Sequence, residues 1–434
     1  MRFLCRMKKS ECLKSIFLLI IFFLQDNYIL GQDSTLTTTT HYSIVVMDSP
    51  AKLFTMRQFN ETYVSFYGYF SKSLHTHVKN KFLISLIEPL VQGLVLMPLT
   101  HEEGHRSILT AKGIGSISQP FFNKDGLAYV NGVSDQTLID LKTDDPASYI
   151  RLHNGGLESD YMIAKRIEDM VSFDMVEYQY YDWEYISRKA GIVQYIAMGL
   201  FEYEIDKEEE ENELERDIVG HDVYGAVRHL FRPDMEFYRY TRYKDLTKPE
   251  RKYLDNLGYH SFINLLNPIL IGKPGFRINK DIKVNFGAGH MLAPFGEFVD
   301  ENVWIKYKNY NISVYLRQFH NMDNWSNGFG IGLHEYNFSD KITISISGHY
   351  WNQPLDYSFN TSEMFSGQAV DIKIRYRLWN ENNKTIPGFS YDLGYVSKTE
   401  GFLPEEVMLC LLYTSDAADD TPCVDLGGRR IIKK

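Results

Sequence analysis

Five successive residues, His101-Glu102-Glu103-Gly104-His105, close an apolar stretch over 82–99. Apolar residues three and four apart predict a helix there, and on a helix positions i and i+4 lie one above the other. His101 and His105 can then present imidazole nitrogens to one cation from the same face. Glu102 is turned partly toward that site, where its carboxylate can hold and deprotonate a water. The plain alternative is a pair of surface histidines.

This spacing is the HExxH motif, and the segment PLTHEEGHRSIL resembles the zinc-binding helix of the zincin metallopeptidases. The resemblance implies Zn2+ held by His101 and His105, Glu102 as general base, and hydrolysis of a peptide or protein substrate. A catalytic zinc needs a third protein ligand and an open position for water. In one large branch of zincins that ligand is a Glu on a later helix, and Glu158 in NGGLESDYMIAKRIEDM is the best match, with Asp160 and His153 as close competitors. Gly155 and Gly156 are expected to break the chain ahead of that helical run. The fuller signatures of the well-known branches are absent: no third His follows at HExxHxxGxxH spacing, and no Asn directly precedes Glu158.

A second group of chemically capable residues lies in ERDIVGHDVYGAVRHLFRP. If the segment is helical, Asp217, His221, Tyr224 and Arg228 share one face and could steady an oxyanion or orient the metal ligands. His221 is the expected donor, with Asp222 a further carboxylate able to serve as metal ligand. The ordinary alternative is a salt-bridged helix face. The acidic run over 202–217 reads as a solvated face.

The two ends stand apart from the fold. Basic residues followed by an apolar run of about ten, within 1–32, read as a secretory signal too short to span a bilayer. The segment 410–434, CLLYTSDAADDTPCVDLGGRRIIKK, resembles the translated read-through of a sequencing-library adapter. It is expected to be foreign to the fold, with the natural chain continuing beyond about 409. Setting both aside leaves 37 basic against 50 acidic residues, a net charge of −13, and none of the four cysteines. Such a chain lacks the basic face that nucleic acid requires, so no nucleic-acid partner is expected. Any metal site must be built from His, Asp and Glu, without disulfides or a thiol nucleophile.

The elements that must position these residues fall into two parts. Over 33–275 the apolar spacing is mainly helical, clearest at 82–99, 185–201 and 262–271, with a small sheet or hairpin expected in 113–130. The 82–99 helix is expected to be buried or to lie against a membrane rather than cross it. From 276 the period becomes two, as where Ile342, Ile344 and Ile346 alternate with Thr343, Ser345 and Ser347. Seven such runs, near 282–292, 302–308, 311–320, 325–336, 341–351, 367–379 and 387–397, have no helix between them, which predicts an antiparallel sheet.

Strand length, aromatic residues near the run ends and ionic residues on the second face predict a transmembrane barrel. The segment GFSYDLGYVSKTEGFLPE resembles the closing strands of Gram-negative outer-membrane barrels. The expected fold class is therefore α+β: a helical zincin-like domain, 33–275, followed over 276–409 by an antiparallel meander or eight-strand barrel truncated before its last strand. The function these readings imply is a zinc-dependent hydrolase of the bacterial cell envelope, facing the periplasm and tethered in outer-membrane lipid. Two alternatives stand beside it: a barrel with a non-catalytic periplasmic binding module, and a soluble periplasmic hydrolase with a β-sandwich.

Overall fold

The computed structural model describes residues 42–48, 54–119, 121, 128–204, 210–379 and 388–406. The expected leader, the segment from 410 onward and the middle of the acidic run lie outside them. Among the described residues the fold is α+β, with seven helices ahead of an eight-stranded antiparallel sheet.

The helices begin where the sequence supplies caps. Thr55 accepts from the Gln58 amide ahead of α1 (Met56–His77), and Ser134 accepts from the Thr137 amide ahead of α3 (Asp135–Asp144). Asp145 caps α4 (Pro146–Ser172), whose first residue is a proline that needs no intrahelical donor. The long helix α2 (Lys81–Ala111) widens into a π turn over Gln92–Leu96, where the Met97 amide reaches back five residues to the Gln92 carbonyl. Pro98 follows at once, and a proline inside a helix would otherwise press on the carbonyl four residues before it. The remaining helices are α5 (Asp182–Ala197), α6 (Asp222–Phe231) and α7 (Lys248–Ser261). The apolar spacing at 262–271 forms two short 3-10 turns instead of a helix, split by Asn267 and Pro268. A two-strand hairpin, β1 (Ile117–Gln119) with β2 (Tyr129–Asn131), lies in the expected Gly-rich stretch.

Gly155 and Gly156 do not break the chain; they sit in the middle of α4, where α2 crosses it. A Cβ on Gly104 would stand 2.8 Å from the carbonyl carbon of Gly155, and one on Gly155 would stand 3.1 Å from the Cα of His105. Glycines here let two backbones touch, which sets the HExxH turn directly on α4.

The sheet runs in chain order through β3 (Phe276–Arg277), β4 (Ile282–Ala293), β5 (Gly296–Tyr307), β6 (Tyr310–Asn321), β7 (Asn324–Asn337), β8 (Ile342–Pro354), β9 (Met364–Trp379) and β10 (Phe389–Lys398). Its seven long strands overlap the seven expected runs, with β5 beginning at Gly296 rather than near 302, and the short β3 is added. They do not close into a barrel: β3 and β10 are the two ends of the sheet, and no pairing among the described residues joins them. The ionic face read as a lumen is instead occupied by helices. Tyr161 of α4 donates to Asp300 at 2.7 Å, Asp300 takes a two-pronged bond from Arg317, and Lys165 reaches Asn302. At the far strands Arg57 of α1 pairs with Glu406 at 2.6 Å and Asp371 at 3.3 Å. Helices and sheet share one core, in which Leu157, Tyr161, Val223 and Leu257 pack with Met291, Phe298, Phe319 and Trp351.

Beyond the ends of β4 and β5, where α7 reaches Glu297, the opposite face of the sheet has no such cover among the described residues. Phe286, Val303, Val314, Leu316, Phe329, Ile331, Ile346, Val370, Ile374 and Leu393 all stand exposed on it. Tyr307, Tyr310 and Tyr336 stack in a row at one end of this band, and the Phe329–Tyr350 pair with Trp325 on His320 lies toward the other. The first half of α2 is also bare, with Phe82 72% exposed and Leu86, Leu90 and Leu94 about half exposed.

Candidate metal centre

Three side chains converge where α2, α4 and the start of α6 meet. His101 Nε2 is 3.0 Å and His105 Nε2 is 3.3 Å from the same carboxylate oxygen of Asp222, the first residue of α6. The other nitrogen of each ring is already engaged. His105 Nδ1 lies 2.7 Å from the Leu152 carbonyl oxygen, and His101 Nδ1 lies 2.9 Å from Asp160 Oδ2. A carbonyl only accepts, so His105 carries a proton on Nδ1, and in the neutral ring it is the Nε2 lone pair that faces Asp222. Asp160 imposes the same on His101, and its own second oxygen is held by the fully buried Arg188 guanidinium.

With both rings neutral, two imidazole lone pairs and one carboxylate oxygen repel; protonation of the rings relieves this without metal, and an ion held among the three atoms relieves it when the rings are neutral. Two neutral nitrogens, one carboxylate and outer partners on both Nδ1 atoms form the donor set of a divalent transition metal. The residues therefore fit the group that the motif implies; the geometry is equally open to other metals of similar chemistry.

The electrostatics follow from burial and from these pairs. Burial opposes charge on His101, but Asp160 and Asp222 outweigh it and raise its pKa well above the ordinary value; His105 is raised in the same way, chiefly by Asp222. Burial alone would raise Asp222, yet the two histidines hold it far below the usual carboxylate range. Glu102 lines the same cleft with no cationic side chain bonded to it among the described residues, and burial pushes it up to about 7 despite the nearby histidines.

The cleft, of about 620 Å³, is lined by the HExxH residues, Asp160, Asp222 and the residues from the second group. His221 does not lie within a helix, as its expected face required; it caps α6, and Asp217 lies further upstream. All four expected members of that face nonetheless reach the cleft wall. The His221 ring stacks on Tyr224 at 3.7 Å and meets Tyr195 at 5.0 Å, and burial lowers its pKa to about 4, so it is neutral. Neither of its ring nitrogens has a protein partner among the described residues. Arg228 lies under the Tyr238 ring at 4.6 Å.

Glu158, the expected third ligand, is not brought to the histidine pair. Arg151 clamps its carboxylate at 2.6 and 2.9 Å, and the Glu405 amide donates to it at 2.7 Å. At about 100° per residue, positions 156 and 160 of α4 face α2 while 158 lies on the far side. Asp160 thus meets His101 on its Nδ1 side, and His153 packs against Tyr149 and His229 and is not among the three converging residues. Asp222, weighed from sequence as the fallback metal ligand behind Glu158, is the third member of the converging group. In sequence it is an ordinary first-turn acid favoured by the helix dipole, so no local signal singles it out.

Comparison with known proteins finds no family model, no curated protein and no solved structure that matches this chain.

Proposed function

We propose that the chain is a zinc-dependent hydrolase of peptide or protein substrates, seated in the bacterial cell envelope with the outer face of its sheet against outer-membrane lipid and its cleft facing the periplasm. The observation that carries the hydrolase reading is the convergence of His101 Nε2, His105 Nε2 and Asp222 Oδ2 with both Nδ1 atoms already satisfied. Zinc, when held there, supplies Lewis acidity that polarises the scissile carbonyl and acidifies water. Glu102, with a pKa of about 7, is poised to take the proton of the attacking water and pass it to the leaving amine. His221, neutral and with unengaged ring nitrogens on the cleft wall, donates an N–H toward the developing oxyanion. Tyr195 and Tyr224 fix its ring from two sides.

The membrane part of the proposal is supported by the uncovered apolar band of the sheet and its aromatic ends, a pattern that suits lipid and is costly in water. The bare half of α2 adds apolar surface against which lipid can rest.

Glu102→Gln tests the hydrolase reading in the full chain. The variant keeps the metal that His101→Ala loses, and peptide hydrolysis falls by at least about 100-fold. Undiminished turnover in Glu102→Gln overturns this reading and leaves a binding module.

A further inference from the structure

A second constellation of metal-ligating side chains lies where α7 meets the sheet, and it shares no residue with the HExxH centre. Its middle is Glu297, 1% exposed, on β5. His290 Nε2 on β4 lies 2.6 Å from Glu297 Oε2, and His260 Nδ1, in the last turn of α7, lies 3.0 Å from the same oxygen. His320 Nδ1 on β6 lies 2.9 Å from the other oxygen, Oε1. No Lys or Arg is bonded to this carboxylate among the described residues, whereas Asp300, the other deeply buried acid of β5, takes a two-pronged bond from Arg317.

We propose that His260, His290 and Glu297 form a second divalent-metal site, of the kind that takes zinc. The ligand atoms of these three residues lie within 4.8 Å of one another, close enough for one small ion to reach them all. A buried carboxylate ringed by imidazoles has its charge balanced by a cation at the point the nitrogens share, and two nitrogens with one oxygen is a donor set suited to zinc.

The surrounding structure holds the ligands in place before any ion arrives. Asn264 clamps the backbone of His290 from both sides, accepting from its amide at 3.1 Å and donating to its carbonyl at 2.9 Å. The His320 ring stacks on Trp325 at 4.3 Å while its Nδ1 orients Glu297. His260 has a side chain 38% exposed, which gives an ion a route from solvent. The ligands come from a helix end and two strands, rigid elements that keep donor geometry narrow.

The role that this placement implies is structural. The ion would staple α7 to the β4–β5 hairpin, and α7 is also tied to the end of α6 by Glu250, whose carboxylate takes a two-pronged bond from Arg232. The second site thus braces the helix that carries Asp222, without touching the cleft.

The full-length chain tests this with zinc alone as probe, by elemental analysis after dialysis into buffered Zn2+. Wild type holds two zinc ions, His101→Ala retains one, and His101→Ala combined with Glu297→Gln retains none. Chelation of the ion left in His101→Ala lowers the thermal midpoint, because that ion is bound only by the folded state. Cobalt substitution of the same variant gives the visible absorption of a tetrahedral ion. If Glu297→Gln does not fold, His260→Ala, at the exposed ligand, replaces it and weakens the retained zinc by at least tenfold. A folded His101→Ala chain without zinc overturns the second site and leaves the HExxH centre standing; zinc lost only in Glu297→Gln does the reverse.

Discussion

Replacing Gly156 by alanine adds one methyl group at the point where α4 supports the first histidine of the HExxH turn. A Cβ at this position would stand 2.6 Å from His101 Cε1 and nearer still to Nε2 and Cδ2. Ordinary contact begins near 3.4 Å, so the ring must move by about 1 Å, away from Asp222 or off its Asp160 bond. Overpacking of this kind costs about 1–3 kcal/mol, while alanine in a helix interior returns about 1 kcal/mol relative to glycine. Overall stability therefore changes by no more than about 2 kcal/mol, and the damage concentrates on the ligand geometry. A ligand displaced by about 1 Å lowers zinc affinity and turnover on the order of 100-fold. The assay is competition with a fluorescent chelator, read as the zinc lost on adding His101→Ala, beside a urea unfolding curve. Gly104→Ala makes the contrast: its Cβ meets the Gly155 backbone, so it separates the helices and lowers the unfolding midpoint as well. A Gly156→Ala chain that binds zinc and turns over like wild type would refute the placement of His101 against α4.

Three further outcomes follow from the same geometry. Asp160→Asn keeps an acceptor or donor beside His101 but loses the carboxylate that sets its tautomer, so zinc affinity drops about 10- to 100-fold; unchanged affinity, measured by the same chelator competition, would show the contact to be incidental. His153 and His229 stack at 5.4 Å with their pKa values lowered by burial to about 3 and about 2. Since both lie below the unfolded value near 6.5, their stability is intact above that pH and is lost as pH falls through it. The loss reaches about 1.4 kcal/mol per pH unit for each ring; stability from urea unfolding compared between pH 7 and 5 should fall less steeply in His229→Phe than in wild type, by up to that amount per pH unit. Ile331→Arg, on the bare face of the sheet, should weaken insertion into phospholipid vesicles by about 2–4 kcal/mol, while normal insertion in a flotation assay would argue against lipid on that face.

Much of the architecture could be read from local pattern, because the relevant physics is local. Alternation of apolar and polar residues fixes which side of a strand each side chain takes, so the long strands emerged near their observed positions, including β9 with Asp371, Lys373 and Arg375 on one face. The HExxH pair was legible for the same reason: four residues on one helix bring two imidazoles to one face whatever surrounds them. Periodicity gave less help at 262–271, where Asn267 and Pro268 interrupt the helix that the apolar spacing predicts.

What local pattern does not contain is which elements meet. Gly155 and Gly156 read as a break because glycine weakens an isolated helix, yet in the folded chain the missing side chains let α4 lie against α2, a gain visible only once both helices are present. The choice between Glu158 and Asp222 was of this kind. Both are acids near a helix start or within a helical run, but a buried Arg151 captures one, while the crossing of α4 and the entry of α6 carry the other to the histidines. The ionic face of the sheet likewise reads as a lumen until Tyr161, Lys165 and Arg57 are seen to fill it. Sequence by itself determined the chemistry available and the faces on which it lies; tertiary packing decided which of those faces meet, because helix crossings and buried ion pairs join residues far apart in the chain.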